Sequence, residues 1–390
     1  MDTRLADTLK GAVNPRRLAD TALELVAIPS PTRSAGAVAD KLAQILAAEG
    51  FAVERPLADW PEAPAVVTRL DSGNPGRTLQ FDGHLDTVHL PFVPARLEDG
   101  VLCGSGASDM KGGIAAFVEA LRALRDTGAL QQGRVLLTTH DHHEGPWGDR
   151  RQLKALIREG YLGDGVLLPE YLATPLPLAG RGAAIFEVRI KRDGEPVHEV
   201  LQPPGTPHVL LAGADLVMRL RGLDQRLKVH THPLTGADTC FVGRLASGEI
   251  YNQVPVECVI NGTRRWVQAG SVEAVRAEFE ALLAELAQDT GTKIELDYSI
   301  SGDAFAIDPA DPLVGAFQLA HRTTTGAALP LGGKPFMDDG NTFLALAGIP
   351  SLTHGPAAIG AHTLDERVSL DELVRVARVY ALTAVAYCGS

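Results

Sequence analysis

An α/β fold with a mostly parallel sheet sandwiched by helices, carrying an inserted ferredoxin-like α+β dimerisation domain, is the architecture this sequence predicts. Two observations lead there. In the first half of the chain and again after Pro309, apolar strand-like runs alternate with helix-period segments, the texture of a covered parallel sheet. Near residue 180 the texture changes to the order β-α-β-β-α-β, which is the ferredoxin-like pattern. At roughly 150 residues per domain, 390 residues suit two domains, and 45% apolar residues are enough to fill both cores. The predicted division is a discontinuous metal-binding catalytic domain over 1–179 and 302–390, with a dimerisation or lid domain over 180–301.

The elements follow in chain order. Residues 28–32, Ile-Pro-Ser-Pro-Thr, read as a turn. Residues 36–50 read as an amphipathic helix with Val38, Leu42, Ile45 and Leu46 on one face and Gly50 as its stop. A strand from Thr78 to Phe81 runs into Asp82-Gly83-His84, and a helix over 114–127 follows a pair of glycines. Buried strands are predicted over 134–139 and 165–168. In the inserted segment, strands over 184–191, 240–245, 258–266 and 294–300 alternate with helices over 207–221 and 272–286. Residues 303–312 form the return linker, and a helix is predicted near 313–322.

Composition removes several function classes. A formal net charge of −12 disfavours nucleic acid and anionic membrane as partners, because both need a basic face. An anionic substrate must then be met by a local cationic site. No run of 18 apolar residues is present to span a bilayer. The N-terminus carries an early acid and no apolar h-region, so a cytoplasmic location is expected. Cys103, Cys240, Cys258 and Cys388 are scattered without a C-x-x-C pair, the pattern of reduced buried thiols.

Candidate chemistry begins with His84-Leu85-Asp86. On a strand, positions two apart share a face, and a ligating histidine usually gives its other ring proton to a carboxylate, which fixes its tautomer. Gly104-Ser105-Gly106-Ala107-Ser108-Asp109-Met110-Lys111-Gly112-Gly113 sets one acid between glycines, just before an apolar helix. A helix N-cap would not need glycines on both sides, so Asp109 is a functional candidate. His140-Asp141-His142-His143-Glu144-Gly145 follows an apolar strand, at the end where open α/β sheets build their sites. Glu170 ends another such strand, and His362 lies in a late Gly/Ala-rich loop.

In this order, the motifs resemble the family of zinc metallohydrolases that includes acetylornithine deacetylase, succinyl-diaminopimelate desuccinylase, carboxypeptidase G and aminoacylase. The resemblance extends to the 28–32 turn, Arg181-Gly182, Gly194-x-x-x-His198 and Asn252-x-Val254-Pro255. It implies that His84, Asp109 and Glu170 surround one divalent metal, and that Asp109 bridges to a second held by His362. Asp86 would orient His84. His198 would reach the active site of a partner subunit in a homodimer. Asn252 and Arg265 would bind substrate, Arg265 as a carboxylate clamp. One or two ions per chain are implied, zinc first, with manganese, cobalt or iron as alternatives.

One loop departs from the family pattern. Members carry Asp-Glu-Glu after the 134–139 strand, the first Glu as general base and the second as a ligand of the second metal. Aligned on Gly145-x-x-Gly148, this chain has Asp141-His142-His143. His142 then falls on the base and His143 on the ligand, with Glu144 one residue late unless a bulge returns it. The second site would be His143, His362 and Asp109, a set that also suits iron or manganese. Only Asp109 and Glu170 would remain as ligand carboxylates. The expected function is hydrolysis of an amide C–N bond in a small carboxylate-bearing substrate, an N-acyl amino acid or dipeptide. The alternatives are a single-metal branch acting on an amine or amidine C–N bond, and a silent binding protein of the same fold.

Overall fold

The computed structural model describes residues 2–145 and 147–389. The chain forms two compact units. One comprises Met1–Leu178, Ile307–Gly332 and Asp338–Ser390, the other Ala179–Ala306 with Gly333–Met337.

The first unit is built on a six-stranded sheet in the order Val53–Glu54, Val66–Asp71, Arg134–His140, Thr78–His84, Gly165–Leu168, Ser351–Thr353. The last four strands are mutually parallel, and the first two add antiparallel at one edge. Side chains alternate between the faces. Phe81 stacks on Phe117 at 4.4 Å and meets Tyr380, so one face is covered by the helices Lys111–Thr127 and Leu370–Cys388. Val166 and Leu168 pack instead with Leu153, Ile157 and Phe343, from the helices Arg151–Arg158 and Asp339–Ala347. Every residue from Lys111 to Leu124 is buried. That is why the helix starts three residues earlier than its apolar pattern suggests and survives two glycines in its first turn.

Parallel strands end at one edge, and that edge carries the candidate site. His84 pairs in register with His140, and Glu170 follows the Gly165–Leu168 strand by two residues. A second, four-stranded sheet pairs Arg367–Ser369 with Val101–Cys103. Ala358–Ile359 and Arg367–Ser369 form its hairpin, whose tip holds His362 and Glu366. This pairing, between segments more than 250 residues apart, sets the late loop beside the Gly104–Gly113 loop.

The second unit has a four-stranded antiparallel sheet in the order Thr239–Ser247, Glu257–Trp266, Gly182–Lys191, Lys293–Gly302. The helices Val209–Leu227 and Val272–Thr290 cover it through Phe186, Leu216, Leu220, Ile260, Phe279 and Leu283. In chain order the strands lie second, third, first, fourth, which is the split β-α-β arrangement. Glu257–Trp266 alternates between half-buried and buried residues, as one helix-covered face requires.

Candidate metal centre

His84 and His362 approach opposite oxygens of one carboxylate. His84 Nε2 lies 3.3 Å from Asp109 Oδ1, and His362 Nε2 lies 2.9 Å from Asp109 Oδ2. On the His84 side, Glu170 Oε1 is 3.9 Å from His84 Nε2. On the other side, Glu144 Oε1 is 3.3 Å from His362 Nε2. His84, Asp109, Glu144 and Glu170 are buried, whereas the His362 side chain is half exposed. His84 Nε2 and Asp109 Oδ1 are close but misaligned, so both buried atoms lack a hydrogen-bond partner. A buried polar atom without a partner costs about 1–3 kcal/mol. A cation bound between the two would satisfy both, and the residues present fit divalent metal.

The electrostatics agree. Burial opposes a charge on His84, but Asp109, Asp86 and Glu170 outweigh it and hold its pKa well above the ordinary histidine value. Hydrogen bonds to Asp109 and Glu144 push His362 up to about 10. Burial, reinforced by the Asp109 charge, raises the Glu170 carboxyl well above the usual range. Burial works against the Asp109 carboxylate, yet His362 and His84 keep it below its ordinary value. Without a metal, the cluster must collect protons. Ions would replace them, so binding should be weaker in acid.

The ligand loops are held in two ways. Glu366 accepts hydrogen bonds from Gly106 N, Ser108 N, Ser108 Oγ and Asp109 N, all at 2.8–2.9 Å. Gly106 needs its glycine, with φ at +84°. Gly113 lets the helix approach the Pro169 backbone, where any Cβ would collide, and so brings Glu170 towards Asp109. Residues 141–144 are held instead by carboxylates. Asp141 accepts from Arg33 N, Ala35 N and His142 N, while Asp86 Oδ2 accepts from His143 N at 3.1 Å and Glu144 N at 2.8 Å. Asp86 fixes His84 through its backbone carbonyl, 2.9 Å from Nδ1, while its carboxylate stands 3.7 Å away.

This geometry corrects the expected alignment by one residue. Glu144, not His143, stands beside His362 and Asp109. His142 does not face the site. Its φ is +74°, its ring packs edge-on against Trp60 at 4.4 Å, and neither ring nitrogen has a hydrogen-bond partner. Its charged neighbours are Asp141, Asp149, Arg151 and Arg33, and burial lowers its pKa. His143 stacks on His84, with ring centroids 3.9 Å apart and planes within 10°. Its Nε2 is 3.7 Å from Glu170 Oε1, and its Nδ1 donates to Asp339 Oδ2 at 2.8 Å. The carboxylates gathered here are therefore Asp109, Glu144 and Glu170. Two divalent ions would leave one net positive charge, not the two expected from the sequence.

Asp339 escaped the reading of the sequence. It is fully buried and adjoins His140 Nε2 at 3.4 Å and Arg150 Nε at 3.1 Å as well as His143. His140 also meets Asp82 at 3.2 Å. An Asp-Asp pair before Gly340 reads as an ordinary helix start, and Asp338 does cap that helix.

In the second unit, His198 Nε2 lies 3.1 Å from Asn252 Nδ2, since Val197–His198 pairs with Gln253–Val254. Arg265 is half-buried and has no ion pair among the described residues. Burial and the nearby Arg181 lower its pKa.

Residues 81–386 match the model of peptidase family M20/M25/M40. Among curated proteins, the chain is 26% identical over 382 residues to succinyl-diaminopimelate desuccinylase of Polynucleobacter necessarius, covering 92% of this chain and 96% of that one. It is 29% identical over 380 residues to the desuccinylase of Cereibacter sphaeroides strain ATCC 17029, covering 92% and 95%. Among solved structures, aminopeptidase PepT of Bacillus cereus superposes with a TM-score of 0.81 at 20% identity, covering 97% of this chain and all of that one. The YXEP protein of Bacillus subtilis, described as a dinuclear metal binding peptidase, superposes with a TM-score of 0.68 at 16% identity, covering 96% and 98%.

Proposed function

The chain belongs to peptidase family M20/M25/M40, and from that premise we propose that it hydrolyses the amide bond of an N-acyl amino acid or dipeptide at a two-ion centre. His84, Asp109 and Glu170 would hold one ion, and Asp109, Glu144 and His362 the other. The observation that carries this reading is the approach of His84 and His362 to opposite oxygens of the buried Asp109. One carboxylate is thereby offered to two positions. Ions so held would acidify a water and polarise the substrate carbonyl. Imidazole and carboxylate ligands at low coordination suit zinc.

The desuccinylase relatives support a small acyl group bearing its own carboxylate. In the second unit Arg265, which has no ion pair among the described residues and has Arg181 close by, supplies a cation for such a carboxylate. The same unit exposes Phe241 and Leu245 on its edge strand and Leu211 and Met218 on a helix, which suits pairing with a second copy. His198, held by Asn252, would then serve the partner's site. Mixed dimers of His198→Ala and Asp109→Ala chains should regain activity; none regained after verified exchange would assign His198 to its own chain or to no role.

The decisive experiment is metal analysis together with a screen of N-succinyl and N-acetyl amino acids and dipeptides. Metal-dependent release of free amine is expected. A protein that binds no metal and cleaves none of these compounds would instead be a silent binding protein.

A further inference from the structure

We propose that Asp82, His140 and Asp339 form a third cation site, a structural one that holds a single divalent transition ion, zinc by preference, where two parallel strands meet a helix. The site shares no residue with the two-ion centre, so it stands whether or not that reading holds.

The donors converge from separate elements. Asp82 lies on the Thr78–His84 strand, His140 ends its parallel neighbour Arg134–His140, and Asp339 opens the helix Asp339–Ala347. None is more than 1% exposed, and one donor atom from each lies within 4.8 Å of the other two. His140 Nε2 is 3.2 Å from Asp82 Oδ2 and 3.4 Å from Asp339 Oδ2. The other oxygen of each carboxylate is already engaged. Thr138 Oγ1 donates to Asp82 Oδ1, and Arg150 Nε donates to Asp339 Oδ1 at 3.1 Å. Both inner oxygens are thus turned to one nitrogen, with Asp339 Oδ2 also accepting from His143 Nδ1 at 2.8 Å.

A proton serves this arrangement poorly. One proton on Nε2 can point at one carboxylate, yet two attend it. Neither comes within the about 2.7–2.9 Å of a charge-assisted bond. An ion serves it well. Donors bound to zinc at about 2.0–2.2 Å in a tetrahedron stand about 3.3–3.6 Å apart, close to the separations found. Two carboxylates cancel the charge of one divalent ion, and imidazole among the donors favours zinc over magnesium or calcium.

The neighbouring strand repeats the pattern. His84 pairs in register with His140. Its Nε2 faces two carboxylates, at 3.3 and 3.9 Å, and its Nδ1 rests on the backbone carbonyl of Asp86 at 2.9 Å. His140 Nε2 faces two carboxylates at comparable range, and its Nδ1 rests on the backbone carbonyl of Asp141 at 3.3 Å. A carbonyl can only accept a proton, so in both rings Nε2 is the nitrogen left to bind metal. The geometry that makes one of these histidines a ligand makes the other one too. An ion held there would tie both strand ends to the helix, at the point where the chain enters the 141–144 loop.

Crystals of the full chain, expressed with zinc supplied, test this through anomalous scattering at the zinc absorption edge. A peak is expected about 2.0–2.1 Å from His140 Nε2, between Asp82 and Asp339 and apart from any at Asp109. Peaks beside Asp109 with none at His140 would overturn the third site and leave the two-ion reading intact. A peak at His140 alone would uphold the site and sink that reading, and no peak anywhere would sink both. Metal analysis after dialysis gives a second measure. The wild type should hold three ions per chain and Asp109→Ala one, and adding His140→Asn to Asp109→Ala should remove that last ion. In the Asp109→Ala background, zinc should still raise the thermal unfolding midpoint, and Asp82→Asn should abolish the rise. An ion retained in the Asp109→Ala, His140→Asn protein, or an undiminished rise beside Asp82→Asn, would place that ion elsewhere and overturn the proposal.

Discussion

The loops that carry Asp109 and Glu144 deliver carboxylates to one centre by opposite means. In the Gly104–Gly113 loop the backbone does the shaping. Glycines permit its turns and close approaches, and one carboxylate, Glu366, gathers the donors the loop turns inward. In the 141–144 loop the shaping comes through contacts with other parts of the chain: Asp86 receives the amides of His143 and Glu144, and the loop's own Asp141 receives those of Arg33 and Ala35. The first kind of loop announces its function in its own residues. The second can change residues, as it has here, because its path is set from outside.

The largest effect should come from the shared product of both loops. Asp109→Ala should abolish activity and remove most bound metal, read by metal analysis after dialysis; full retention would dismantle the ligand set. Next come the anchors. Glu366→Ala orphans Gly106 N, Ser108 N, Ser108 Oγ and Asp109 N, whereas Asp86→Ala orphans His143 N and Glu144 N. At about 1–3 kcal/mol per orphaned buried donor, Glu366→Ala should lower the midpoint of urea unfolding more than Asp86→Ala. Glu366→Gln should restore most of the loss, because one oxygen receives three of those bonds. The reverse ranking would mean that the glycine loop holds its shape unaided.

The metal-free protein should also respond to alkali. Burial opposes a charge on His140, but Asp82 and Asp339 raise its folded-state pKa to about 9 from an ordinary 6.5. A raised histidine contributes stability fully below the unfolded value and loses it as pH climbs through the folded one. Stability should thus fall between about pH 6.5 and 9, and His140→Asn should flatten that part of the profile. The smallest catalytic effect belongs to His142. Packed on Trp60 and turned from the site, its replacement by Ala should change kcat less than about threefold while lowering stability, as for other buried ring truncations. A loss of 10²-fold or more would return it to the role its position in the sequence suggested.

That reversal shows where the sequence was readable. Asp109 could be found because glycines on both sides are a local signal. The parallel strands ending at His84 and Glu170, and the β-α-β-β-α-β order of the inserted unit, were legible from period and order alone. The register of the histidine loop was not. Gly148 served as the anchor, yet its amide only closes a turn onto the Glu144 carbonyl at 2.7 Å. The contact that fixes the register is Asp86 with Glu144, 58 residues apart. Asp339 lies 196 residues from His143, and nothing near it in the chain announces that partner. The helix Leu370–Cys388, which walls one face of the sheet through its Tyr380, was not legible, because buried residues lie on nearly all of its sides and leave no one-sided apolar period.

His84 is sealed from solvent, while the side chain of His362 is 51% exposed on a hairpin tip. The two ends of the centre therefore differ in how readily they trade with the surroundings. An ion at the His362 end would have a short way out, past a half-exposed ligand. One at the His84 end would have to wait for packed strand ends to part. Under a chelator the centre should empty in two phases, the outer position first, and a half-loaded protein should persist long enough to be isolated. Supply of metal to such a protein would tune its activity through one position, with the inner ion kept as a permanent part of the fold.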